Sequence, residues 1–146
     1  MKTSKNGIDL IKKYEGCRLK AYKCPAGIWT IGIGHTGKVN GKPITEGMAI
    51  TPLMAETLLV IDLQRFENAV NKQKLKLNQN QFDAIISFVF NVGTGAFAKS
   101  SMLKFLKQGH YPLAAGQFDR WIYVGGKKLA GLIKRRADEK KLFLSE

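Results

Sequence analysis

A chain of 146 residues with 45% hydrophobic side chains has the length of one domain, or of one domain with a small lobe attached. At that size folding removes roughly 70% of the extended chain's surface from water, so neither disulfide nor metal is needed for stability. Twenty-four Lys and Arg against 11 Asp and Glu leave a formal charge of +13, which favours encounter with polyanions without choosing among nucleic acid, anionic lipid and an acidic envelope. No apolar run reaches the length of about 18 residues that a membrane-spanning helix needs. The amino end "MKTSKNGIDLIKKYEG" lacks the continuous apolar core of a signal peptide, so the expected starting compartment is the cytoplasm.

In chain order, residues 4–15 read as a short helix with Ile8, Ile11 and Tyr14 on one face, closed by Gly16 as a left-handed cap. Over 18–45 glycines punctuate "IWTIGIG" and "KVNGKPIT", the texture of a small antiparallel sheet, and "VNGKP" fits a hairpin with Asn-Gly in its turn. Thr51-Pro52 opens a long helix to about Asn71, with Leu58, Leu59, Leu63, Phe66 and Val70 in its apolar stripe. "KQKLKL" is a polar connection. Asn78 caps the next helix, whose "FDAIISFVF" is apolar nearly all round and therefore central to the core. Gly93 and Gly95 break that helix. Shorter helices are expected over 101–107 and 112–121, a turn at Gly125-Gly126, and a last basic helix over 131–144.

The predicted class is α+β, mainly helical. A small antiparallel sheet lobe (about 16–50) is inserted early, a helical lobe comprises 1–15 and 72–146, and a helix over 51–71 connects them, with a cleft expected between the lobes. Trp29 and Trp121 are expected to pack where the lobes meet.

The chemistry concentrates in "YEGCRLKAYKCPAGIWTIGIGHTG", residues 14–37. At the C-terminal end of a helix the partial negative charge disfavours an ionised Glu15, and a glutamate kept protonated is what general-acid chemistry needs. Position alone equally fits a solvated glutamate closing a helix. Cys24 and Thr30 follow in the sheet region, where a hairpin can fold back toward Glu15. A thiol has an unperturbed pKa of about 8.5, so a useful thiolate fraction at neutral pH calls for nearby cations, and Arg18, Lys20 and Lys23 are close in sequence. Cys17 and Cys24 are near enough in sequence to bridge across a tight turn, which would consume the Cys24 sulfur and make activity redox-sensitive. Cys17 also fits a small buried hydrophobe.

Glu15, eight intervening residues, Cys24, five more and then Thr30 within "TIGIGHT" resemble the catalytic pattern of the phage-type lysozymes, in which the middle position is Asp or Cys. "NQFDAIISFVFNVGTGAF" is similar to that family's central helix and following turn, and "GLIKRRADEKKLF" to a closing helix, so the likeness covers nearly the whole chain. The resemblance implies a lysozyme-like fold and hydrolysis of the β-1,4 bond between N-acetylmuramic acid and N-acetylglucosamine in peptidoglycan. Glu15 matches the acid that protonates the departing oxygen, and Cys24 and Thr30 the pair that positions and activates water on the opposite face of the sugar. Members generally invert the anomeric centre, which suits a separated acid and base. Whether Cys24 acts as base, nucleophile or water-holder stays open.

The same resemblance gives His35 a structural role, places Arg135 (or, in the doubled "RR", its neighbour) against the catalytic glutamate, and puts Phe90 and Ser101 on the substrate-lining surface, though either could serve as core or helix cap. It implies no cofactor, no metal, a monomer without stable membrane insertion, and a membrane-permeabilising holin that admits the enzyme from the host cytoplasm to the wall. The rivals are a lytic transglycosylase using Glu15 alone, a non-catalytic wall-binding protein, and a basic nucleic-acid-binding module. Against the last, the aromatics sit in apolar helix patterns and no recognition motif is present. Two Cys and two His at unsuited separations make a structural zinc site improbable.

Overall fold

A computed structural model describes residues 1–146. Seven helices and two antiparallel two-stranded sheets form it, in the order α1 (Lys5–Glu15), β1 (Arg18–Lys23), β2 (Trp29–Gly32), α2 (Pro52–Asn71), α3 (Gln79–Val92), α4 (Thr94–Ala98), α5 (Ser101–Lys107), α6 (Tyr111–Gln117), β3 (Tyr123–Val124), β4 (Lys127–Lys128) and α7 (Ala130–Phe143). The chain divides into two compact units, Ile11–Gln64 and Met1–Leu10 with Arg65–Glu146, so the divisions fall inside α1 and α2 and not at their ends.

In the unit Ile11–Gln64, α1 stops where the sequence says it should. Gly16 takes a φ of +72°, and its N–H reaches the carbonyl of Lys12 at 2.9 Å, so the last turn closes on a residue free of a Cβ penalty. Strand β1 then pairs with β2 in the register Tyr22 with Thr30 and Lys23 with Trp29, with a bulge between Arg18 and Tyr22. The sheet is smaller than the sequence texture suggests: beyond β2 the pairing reduces to isolated bridges, Ile31 with His35 and Val39 with Lys42, while Lys20 bridges to Ala49. The Val39–Lys42 bridge carries the expected Asn-Gly hairpin, Asn40 at φ +50° and Gly41 at +78°, the two left-handed positions of a type I′ turn. Under these turns lies a core of Ile31, Val39, Ile44, Ile50 and Ala55, with Trp29, Met48 and Leu58 against it. Thr51 caps α2 by accepting from the N–H of Met54 at 3.2 Å, and Pro52 follows as first helical residue.

The second unit is built round α3, in which eight consecutive residues, Phe82 to Val89, are buried. Its start is a complete capping box: Asn78 Oδ1 accepts from the Gln81 N–H at 2.8 Å, and Gln81 Oε1 accepts from the Asn78 N–H at 2.9 Å. Helix α7 packs along α3. Phe88 meets Phe118 and Trp121 edge-on at 5.4 Å each, and Phe118 meets Phe143 at 5.8 Å. Each such buried ring contributes roughly 1.5–3 kcal/mol by leaving water, before packing is counted. Met1–Ser4 is tied to this unit through carboxylates: Thr3 donates from N–H and hydroxyl to Glu67 at 2.7 Å, and Ser4 donates from both groups to the fully buried Asp83.

Candidate active site

Hairpin β1–β2 turns at Cys24–Ile28, closed by the Cys24 N–H on the Ile28 carbonyl at 2.9 Å and the Gly27 N–H on the Cys24 carbonyl at 2.8 Å. Counting from the Tyr22–Thr30 pair, Cys24 lies two residues on along the same pleat face, so its side chain and that of Thr30 are diagonal neighbours. Thr30 is buried and donates its hydroxyl to the Ile28 carbonyl at 3.0 Å. The Cys24 thiol, partly exposed, is held below its ordinary pKa by hydrogen bonding from the Ile28 backbone, opposed by partial burial and helped by the Ala26 backbone and the Thr30 hydroxyl.

This corrects the electrostatic expectation. Two of the three flanking cations are engaged with rings: the Arg18 guanidinium lies 4.4 Å over the Tyr22 ring and the Lys23 ammonium 5.3 Å over Trp29. Hydrogen bonds, and not cation proximity, favour the thiolate. Both cysteines are free thiols, Cys17 exposed where a buried hydrophobe was one expectation.

Glu15 is the last residue of α1, half-buried, three positions before β1. It shares the unit Ile11–Gln64 with Cys24, Thr30 and His35. His35 is buried, with Nδ1 2.7 Å from the Asp62 carboxylate and Nε2 3.0 Å from the Lys38 carbonyl. A carbonyl only accepts, so Nε2 carries a hydrogen and the ring is pinned from both sides. Such a ring braces the loop after β2 and has no free nitrogen to offer a substrate.

The remaining expected positions lie in the other unit. Phe90 is partly exposed, its ring tilted against Phe66 at 5.2 Å, on a hollow of about 490 Å³ lined also by Arg65, Asn91 and Thr94. Ser101 is exposed and opens α5, whose cap is its neighbour: Ser100 Oγ accepts from the Leu103 N–H at 3.1 Å. Arg135 is buried, donating from Nε to Glu139 at 3.2 Å and from Nη2 to the Ser87 carbonyl at 3.0 Å. No group of three or more His, Cys, Asp or Glu side chains is placed to hold a metal ion.

A family model described as phage lysozyme matches residues 12–139, a span that takes in every one of these positions. The chain belongs to the phage lysozyme family. The endolysin of Bacillus phage PZA is 47% identical over 148 residues, covering 99% of this chain and 56% of that relative, so the chain spans little more than half of its length. Among solved structures, a mutant of P22 lysozyme is similar with a TM-score of 0.93 at 46% identity, with 99% of each chain covered. The muramidase domain of SpmX from Asticaccaulis excentricus is similar at 0.90 and 42%, again with 99% of each covered. The fold is lysozyme-like, as the sequence predicted.

Within this phage lysozyme, sequence reasoning missed Glu139, Ser87 and Asn91, and offered Arg136 only as the alternative register to Arg135. Glu139 is fully buried and accepts from Ser87 Oγ at 2.6 Å, Arg136 Nη1 at 2.6 Å and Arg135 Nε. Burial pushes its carboxyl upward against the pull of Arg136 and Arg135. Arg136 also donates to Asn91, on the wall of the Phe90 hollow, and lies 5.0 Å over the Phe88 ring. The available signal was an acid three and four residues after two arginines, which a helix places on one face.

Proposed function

We propose that this phage lysozyme is a muramidase of endolysin type, hydrolysing the β-1,4 bond between N-acetylmuramic acid and N-acetylglucosamine by a single displacement. Membership of the family makes it a glycoside hydrolase acting on peptidoglycan. The observation that carries the finer reading is the Cys24–Thr30 pair on one hairpin face, directly downstream of a helix-ending glutamate.

Glu15 delivers its proton to the departing glycosidic oxygen. Thr30 has one hydroxyl hydrogen and two acceptors within reach, the Ile28 carbonyl and the Cys24 sulfur, so its lone pairs remain for a water. That water attacks the anomeric carbon from the opposite face, and its proton passes to Cys24, whose depressed pKa supplies thiolate nearer neutrality than an ordinary cysteine would. Proton return to Glu15 through solvent completes the cycle. The family resemblance assigns Phe90 and Ser101 to glycan binding and Arg135 to the support of the acid. His35 braces the loop that follows the hairpin.

The +13 charge steers the enzyme toward peptidoglycan carboxylates, an attraction that weakens with salt. No helix is long and apolar enough to cross a membrane. In this reading the enzyme, a monomer without cofactor, waits in the host cytoplasm for a holin to admit it to the wall.

The test is digestion of purified sacculi by wild type, Glu15→Gln and Cys24→Ser, with the muropeptides weighed. Removal of the general acid is expected to cost about 10²–10⁴-fold in rate, with hydrated reducing ends from wild type. Products lighter by one water assign a lytic transglycosylase instead, and a well-folded Glu15→Gln that digests at full speed ends the proposal.

A further inference from the structure

Away from the residues used above, the connection after α2 and the end of α5 enclose a hollow of about 340 Å³, lined among others by Lys74, Lys76, Lys107, Gln108 and Tyr111. No acidic side chain lines it, and none of its three lysines makes an ion pair. Its walls are held in place. Tyr111 donates its hydroxyl to the Lys76 carbonyl at 2.5 Å, fixing the connection against α6. Lys74 takes a left-handed φ of +54°, a conformation unusual for a residue with a Cβ, with its N–H on the Asn71 carbonyl at 3.0 Å.

One reason for lysines here is local: α2 and α5 end beside the hollow, and a cation complements a helix C-terminus. That accounts for part of the charge only. Two helix ends supply about half an elementary charge each, against three full positive charges, so the lining keeps a net positive charge.

We propose that this hollow is an accessory anion site that binds the phosphate groups of a phosphodiester-linked polymer of the bacterial envelope. Three exposed lysines around one concavity suit successive phosphates along a flexible polyanion, and the two glutamines lining it, Gln73 and Gln108, offer donors for the polymer's hydroxyls. Leu75 and Leu106 complete the lining with apolar surface. Such a site holds the enzyme on the wall between cleavage events, a role separate from bond hydrolysis.

Calorimetry with tripolyphosphate as probe tests the site at low salt. The triple variant Lys74→Gln/Lys76→Gln/Lys107→Gln is expected to bind about 100-fold more weakly, a factor of about five per lysine. The equally discharged Lys5→Gln/Lys99→Gln/Lys127→Gln and the acid variant Glu15→Gln should bind like wild type. Equal loss in both triple variants, or no saturable binding in wild type, overturns the proposal. In a second arm, sacculi carrying their phosphodiester polymer are compared with sacculi stripped by hydrofluoric acid. Wild-type retention should fall on stripping, and retention of the Lys74/Lys76/Lys107 variant should not. Retention indifferent to stripping, with the lysine effect seen only on phosphatidylglycerol vesicles or on RNA, also overturns it. Because Glu15→Gln keeps the site, failure here is distinct from failure of the muramidase reading.

Discussion

The Thr30 hydroxyl donates to the Ile28 carbonyl at 3.0 Å, and the same carbonyl accepts the Cys24 N–H at 2.9 Å. One backbone oxygen thus ties the two side-chain positions that the sequence singled out. Thr30→Val keeps the shape of the side chain and removes the hydroxyl, while the Ile28 carbonyl keeps its backbone donor. The fold should lose only about 1 kcal/mol, whereas peptidoglycan hydrolysis should fall about 10–100-fold. Thr30→Ser should restore most of the rate. Melting curves alongside muropeptide release check both halves.

For Cys24 the expected pH behaviour follows from its hydrogen bonds. Its folded pKa lies below the ordinary thiol value, so the hydrogen-bonded thiolate stabilises the folded form at pH above the unfolded value, and that contribution is lost as pH falls through the folded pKa. Reactivity should follow the same ionisation. In a Cys17→Ser background the alkylation rate of Cys24 should rise at lower pH than that of a free cysteine, and hydrolysis should stop as alkylation proceeds. A profile coinciding with free cysteine would remove the reason for assigning Cys24 as base.

Much of the fold was legible because its signals are local. Gly16, Asn40-Gly41, Thr51-Pro52 and Asn78 each mark a boundary within one turn of themselves, and each was found there. What escaped depends on distant contacts. Gly125-Gly126 was read as a turn, yet it carries a hairpin of two-residue strands too short to show alternation. Thr94–Ala98 forms a helical turn across Gly95, held between α3 and α5. For Ser101, the alternative of a helix cap falls away because the neighbouring Ser100 caps α5. The last helix reads as basic, and the burial of Arg135, Arg136 and Glu139 within it cannot be read from composition. At the site, the spacing of Glu15, Cys24 and Thr30 was legible, but the source of the thiol's acidity was not, because amide direction belongs to the folded turn.

That buried cluster sets the third prediction. Glu139→Ala leaves two guanidinium groups and the Ser87 hydroxyl without their shared acceptor in a dry interior. The expected cost is about 3–5 kcal/mol of stability, read as a lowered denaturant midpoint. Glu139→Gln keeps one carbonyl oxygen and should cost less. Ser87→Ala, which removes a single donor to Glu139, should cost about 1–3 kcal/mol.

His35 gives a local counterpart. His35→Phe fills the same space but strips the partners from the Asp62 carboxylate and the Lys38 carbonyl. The loss should be about 1–3 kcal/mol and should concentrate in the loop that the ring braces. Hydrogen exchange at Val39 and Lys42, whose N–H groups pair across the Asn40-Gly41 turn, should accelerate more than exchange along α3. Uniform acceleration throughout the chain would mean that His35 supports global stability only.

The last prediction concerns Gly7, which is glycine for want of space. A Cβ there would lie 2.6 Å from Thr3 Cγ2 and 2.9 Å from Asp83 Cβ, inside any real contact distance. Gly7→Ala favours the helix by about 1 kcal/mol in propensity, yet overpacking of this kind costs about 1–3 kcal/mol, and here it also strains the bonds that Ser4 makes to Asp83. The net effect should be destabilising. The two obstructions differ in kind: Thr3→Ser deletes the methyl and keeps the hydroxyl that donates to Glu67, whereas Asp83 is fixed in α3. The double variant Gly7→Ala/Thr3→Ser should therefore recover part of the loss and not all of it, as measured by chemical denaturation. Full recovery would show that Asp83 yields, and no recovery that it alone sets how closely α1 can approach.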